Sequence, residues 1–134
     1  MNALHILFRT NRCNLSRVGA HFINPCCFGE DLAAWLRTRL TELGIETAEP
    51  YQEDWGWELP AKRPRDSYFL CMSGNSDESS DKDEGEWRII VEKKRSLGQL
   101  LTGKGKITSD DEMLRTVEEI LRKEPTIREV HREE

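Results

Sequence analysis

The chain has 134 residues and a mass of 15.6 kDa; 37% are hydrophobic, 34% are charged, and 20 basic against 25 acidic side chains leave a net charge of −5. That is the size of one domain with apolar content for one core, and such a chain needs no metal or disulfide to fold. No apolar run approaches the ~20 residues that span a bilayer, the Gly and Pro counts of 9 and 5 are too low for a collagen-like or linker-like chain, and the acidic balance opposes non-specific nucleic-acid binding.

The first residues carry no basic leader, long apolar stretch or small-residue cleavage site, so a cytoplasmic protein is expected. Four cysteines, Cys13, Cys26, Cys27 and Cys71, are too few for a disulfide scaffold, and reduced thiols follow. One domain over residues 1–134 is expected, with 1–16 as an extension of it. Leu4–Phe8 and Val18–Asn24 alternate like strands. After the turn at Asn24–Gly29, Leu32, Trp35, Leu36, Leu40 and Leu43 form one apolar stripe, which predicts a helix over 30–43. Glu30 and Asp31 suit its N-terminus, and Gly44 its C′ position.

Residues 46–54 read as an acidic turn. Trp55-Gly56-Trp57-Glu58-Leu59 alternates with period two, which places Trp55, Trp57 and Leu59 on one face. A basic loop follows at 60–66, and Tyr68–Met72 reads as a buried strand. Residues 74–85 contain no apolar side chain and predict a mobile acidic loop before a strand over 87–91. Leu97–Leu101 is a helical turn, and 103–106 a Gly-Lys loop. A second helix is expected over 110–123, with Ser109 and Glu112 as a capping box and Met113, Val117, Ile120 and Leu121 inward. Thr126–His131 would add an edge strand. The order β–(β)–α–β–β–β–α–β predicts an α+β fold: a two-layer sandwich, ferredoxin-like or related, with a mostly antiparallel sheet and two helices on one face.

Phe22-Ile23-Asn24-Pro25, Phe28–Leu36 and Glu53-Asp54-Trp55-Gly56-Trp57 give residues 20–60 a resemblance. This stretch resembles a group of small, uncharacterised bacterial proteins with an FGEDLAxWL helix start and an EDWGW strand. The resemblance implies a bacterial origin and no activity, cofactor or catalytic residue.

Several constellations compete for function. Cys27 precedes a helix start, where amides lower a thiol pKa, and His21 or His5 is the candidate base. Cys13, His21, Cys26 and Cys27 lack paired zinc-ligand spacing. Counted from Asp77, the sixth and twelfth positions of an EF-hand would be Lys82 and Arg88, so a calcium loop fails. Neither metal nor cofactor is expected. Gly103-Lys104-Gly105-Lys106 lacks the P-loop pattern, but with Lys93, Lys94 and Arg95 it makes a basic patch. Trp55 and Trp57, with Glu53, Asp54 and Glu58 around them, are core if their face is buried and binding hot spots if it is exposed.

Residues 29–59 hold eight acids and two bases, while 88–106 hold six bases and one acid. This segregation favours a non-enzymatic protein-binding module of the inhibitor, immunity or adaptor kind, whose partner has a basic surface. Its binding residues would be Glu53, Asp54, Trp55, Trp57, Glu58, Lys93, Lys94, Lys104 and Lys106. The alternative is a small enzyme or ligand-binding domain using Cys27 and His21 or the 103–106 loop. Contact with nucleic acid through 93–106 is the weakest reading, and no membrane partner is expected.

Overall fold

In a computed structural model of the chain, which describes residues 2–10, 29–76 and 85–133, a seven-stranded sheet carries three helices. The strands are β1 (Ala3–Thr10), β2 (Glu46–Thr47), β3 (Tyr51–Glu53), β4 (Gly56–Lys62), β5 (Ser67–Ser76), β6 (Gly85–Lys93) and β7 (Ile127–Glu133). The helices are α1 (Glu30–Glu42), α2 (Leu97–Thr102) and α3 (Glu112–Lys123). All strand pairs among the described residues are antiparallel, in the order β2-β4-β5-β6-β1-β7, with β3 also against β4. From α1 the chain meanders through β2, β3, β4, β5 and β6 until β6 lies beside β1. It then passes through α2 and α3 and adds β7 to the other side of β1. Strands β7, β1, β6 and β5 thus follow the order of a split βαβ sandwich, extended by the β2/β3–β4 ribbon.

Register explains the core. Ile6 and Phe8 sit opposite Ile89 and Trp87, while Leu70 sits between Leu59 and Val91. Because side chains alternate with period two, these residues share one face. They form a single cluster with Leu32, Leu36 and Leu40 of α1 and Met113, Leu114, Val117 and Leu121 of α3. Each such leucine contributes about 1.5–3 kcal/mol by leaving water. The expected α+β sandwich with two core helices on one face is therefore found. No described helix is long and apolar enough to cross a membrane.

Helix α1 ends as its sequence predicts. The Ile45 amide donates to the Leu40 carbonyl (3.0 Å) and the Gly44 amide to the Thr41 carbonyl (3.0 Å), a Schellman closure made possible by φ +78° at Gly44. The start of α3 differs from expectation. Its N-cap is Asp111, not Ser109: Asp111 Oδ1 accepts from the Met113 and Leu114 amides at 2.9 and 3.2 Å. The other oxygen, Oδ2, accepts from the Tyr68 hydroxyl at 2.9 Å and lies 3.5 Å from Lys93 Nζ. Burial and the Asp111 bond push the Tyr68 hydroxyl pKa up.

Other boundaries move too. Residues 3–10 are not an extension; β1 lies inside the sheet, between β6 and β7. Strand β4 runs through Pro60 to Lys62 instead of stopping at the proline. The Pro60 carbonyl accepts from the Ala48 amide (3.1 Å), so its ring nitrogen faces the 48–50 gap between β2 and β3, where a ladder donor is not missed. The acidic turn at 46–54 contains those two short strands. Residues 74–76 and 85 belong to strands; the rest of the acidic segment, 77–84, and the expected strand at 18–24 lie outside the described residues.

Candidate interaction surfaces

The Trp55-Gly56-Trp57 segment does not present both indoles on one face. Asp54 and Trp55 form the turn between β3 and β4, and the strand begins at Gly56. Trp57 is 5% exposed and belongs to the core; Trp55 is 45% exposed. Gly56 makes this split possible. Its φ is +156°, and a Cβ there would lie 2.1 Å from the Met72 carbonyl oxygen. No side chain fits, so the backbone of β4 presses directly on β5 as the turn closes.

Around Trp55 the surface is acidic and aromatic. Tyr51 is 40% exposed, Asp54 is exposed and Glu53 half-buried. On the adjoining helix face, Glu30, Asp31 and Glu49 line a hollow with Arg37, above Trp57. Glu58 is not available for binding. It sits buried on the open sheet face, where its Oε2 accepts from the Tyr51 hydroxyl and its Oε1 from the Cys71 thiol (3.6 Å).

This trio belongs to a cross-strand row: Tyr51, Glu58, Cys71, Ile90, His5, Glu133. Burial, more than any other cause, raises the Glu58 carboxyl pKa; Glu92 adds to it, while the Cys71 bond and Lys94 oppose it. Burial, then the negative charges of Glu58 and Glu92, push the Cys71 thiol up. A thiol held protonated is a poor nucleophile. At the row's other end Arg88 forks Glu133 with bonds of 2.8 and 3.0 Å, and its Nη1 lies 2.5 Å from His5 Nδ1. The hydrogen bond to Arg88 is the main cause lowering the Glu133 pKa. The carboxyl that Cys71 faces is that of Glu58, which shares its burial and raises the thiol pKa further, so this pair does not activate the thiol. Cys27 and His21 lie outside the described residues, and among the described residues no three His, Cys, Asp or Glu side chains gather to hold a metal.

The basic residues divide in the same way. Lys93 is structural, 3.7 Å from Asp66 and 3.5 Å from Asp111. Lys94 lies 4.3 Å from the centroid of the Phe69 ring. Lys104 and Lys106 point to solvent from the limb that follows α2. In the Gly-Lys loop the Lys104 amide donates to the Gln99 carbonyl (3.0 Å), and Gly103, at φ +73°, caps α2.

Helix α2 is the feature that sequence reading undervalued. It carries a capping box between Ser96 and Gln99. Arg95 braces it through the Gln99 and Lys104 carbonyls, and Asn2 ties the following limb through Gly105 and Ile107. Yet Leu97, Leu100 and Leu101 are 72%, 57% and 79% exposed. Their i, i+3, i+4 spacing was visible; that this stripe would find no core was not. Tyr51 was likewise missed, because residues 46–54 read as a turn. Between α1 and α3 a groove of about 390 Å³ is floored by Trp35, Leu43 and Ile120, and ion pairs Arg39–Glu42 and Lys123–Glu119, each 3.1 Å, neutralise its lips.

No protein-family model, no curated protein sequence and no solved structure matches this chain.

Proposed function

We propose that this protein is a small, non-enzymatic protein-binding module of the cytoplasm, of the inhibitor, immunity or adaptor kind. It engages a partner with a basic surface through the corner made by Tyr51, Glu53, Asp54 and Trp55. The observation that carries this reading is the exposed Trp55 indole, held at a tight strand turn among carboxylates. Tryptophan and tyrosine supply much of the energy of protein interfaces, and surrounding acids steer a cationic partner into register. Trp57 and Glu58 support the corner from inside the fold, and Lys93 anchors α3. The thiol-enzyme alternative gains nothing from Cys71, whose buried thiol is kept protonated.

The test is capture of a stoichiometric partner from native cytosol on the immobilised full chain, followed by titration with Trp55→Ala and Asp54→Lys. Trp55→Ala is expected to weaken binding about 30-fold, equivalent to roughly 2 kcal/mol, with its melting temperature unchanged. Absence of a stoichiometric partner, or equal retention of one by Trp55→Ala, overturns the reading.

A further inference from the structure

We propose that the α2 protrusion docks on an anionic lipid bilayer, its three leucines entering the interface and its lysines meeting the headgroups. This goes beyond the protein-binding corner and departs from the expectation of no membrane partner, as surface docking needs no spanning helix. It uses the opposite end of β4: Trp55 adjoins Gly56, whereas α2 hangs from the end marked by Lys62. Lys62 pairs with Ser67, whose carbonyl accepts from the Lys94 amide, and Asn2 joins the Lys93 carbonyl to that of Gly105.

A cluster of three exposed leucines on a braced helix marks an interaction surface. The occupant follows from what surrounds it. Residues 93–106 hold five cations and no carboxylate. Lys93 and Arg95 serve the fold, which leaves Lys94, Lys104 and Lys106 exposed, with Lys62 in the neighbouring row. Of the carboxylates at this end, Asp66 and Asp111 face Lys93, and Glu112 lies 3.1 Å from Arg63; Glu46, Glu92 and Asp110 remain. Asp110 accepts from Thr108, and none of the three falls within the protrusion.

Other occupants fit less well. A second copy presenting the same tip would set lysine against lysine. Single-stranded nucleic acid calls for aromatic platforms, and the protrusion has none. Protein interfaces are depleted in lysine, and leucine is rarely a hot spot. Leucines beside exposed lysines match the chemistry of an interfacial anchor on acidic lipid.

Co-sedimentation of the full chain with phosphatidylcholine vesicles, with and without phosphatidylserine, tests this. Binding is expected only with phosphatidylserine, falling as salt shortens the range of charge attraction. Lys104→Glu/Lys106→Glu should weaken it by at least about five-fold for each lysine lost, and Leu97→Ser/Leu101→Ser by about ten-fold or more. These side chains are exposed, so melting temperatures should not move, and Trp55→Ala should bind vesicles like the unaltered chain. Absence of sedimentation, equal sedimentation with neutral vesicles, or full binding by the leucine variant overturns the proposal. So does an acidic protein that competes for the leucines where vesicles are not bound.

Discussion

At Gly56 a single hydrogen atom decides how two strands meet. A methyl group there would stand 2.1 Å from the Met72 oxygen, and backbone cannot swing aside as a flexible side chain can. Gly56→Ala is expected to cost about 3 kcal/mol, read as a lower urea midpoint with an unchanged slope. Glu58 behaves differently. Its carboxyl pKa is raised in the folded chain, so the proton is held more tightly there than in the unfolded chain. The contribution is fully present below the ordinary value of 4.5 and is lost as pH rises through the folded value. Glu58→Gln cannot ionise. The stability difference should therefore shift in favour of the variant as pH rises from about 4 to about 7, when both are unfolded in urea. An unchanged difference across that range would mean that burial does not govern this carboxyl.

Among the elements, α3 depends most visibly on one side chain. Asp111 caps two amides, accepts from Tyr68 and faces Lys93. Asp111→Ala should cost about 2–4 kcal/mol, a lost cap plus an unpaired buried hydroxyl. Asp111→Asn keeps a capping oxygen and should cost less than half as much. Thermal unfolding of both variants reads the difference. The element pattern also shows why some of the fold was legible and some was not. Leu32, Leu36 and Leu40 of the α1 stripe, the inward residues of α3 and the Gly44 closure are local, because 3.6-residue periodicity and positive φ act within a few neighbours; Leu43, expected in the same stripe, is exposed where the helix ends. Met113, Val117 and Leu121 were visible for that reason, while Leu114 joins them only because the sheet covers a wider arc of the helix. Pro60 continues a strand because a neighbouring ladder breaks opposite it, and Asp111 outcompetes Ser109 because Tyr68 and Lys93 arrive from distant strands. Trp55 and Trp57 part because a turn ends between them. Those outcomes depend on partners many residues away, which no local pattern encodes.

Over the whole molecule, charge and greasy side chains are sorted to opposite ends of β4. Trp55 and Tyr51 stand among carboxylates at one, and Leu97, Leu100 and Leu101 stand among lysines at the other. Two partners of opposite sign could occupy these ends without touching each other. The position of β1 has a different consequence. His5 pairs with both Ile90 and Glu133. Strand β1 therefore keeps one flank bare until Ile127–Glu133 joins it, so closing that side of the sheet depends on a pairing between distant segments, the kind of contact that slows folding.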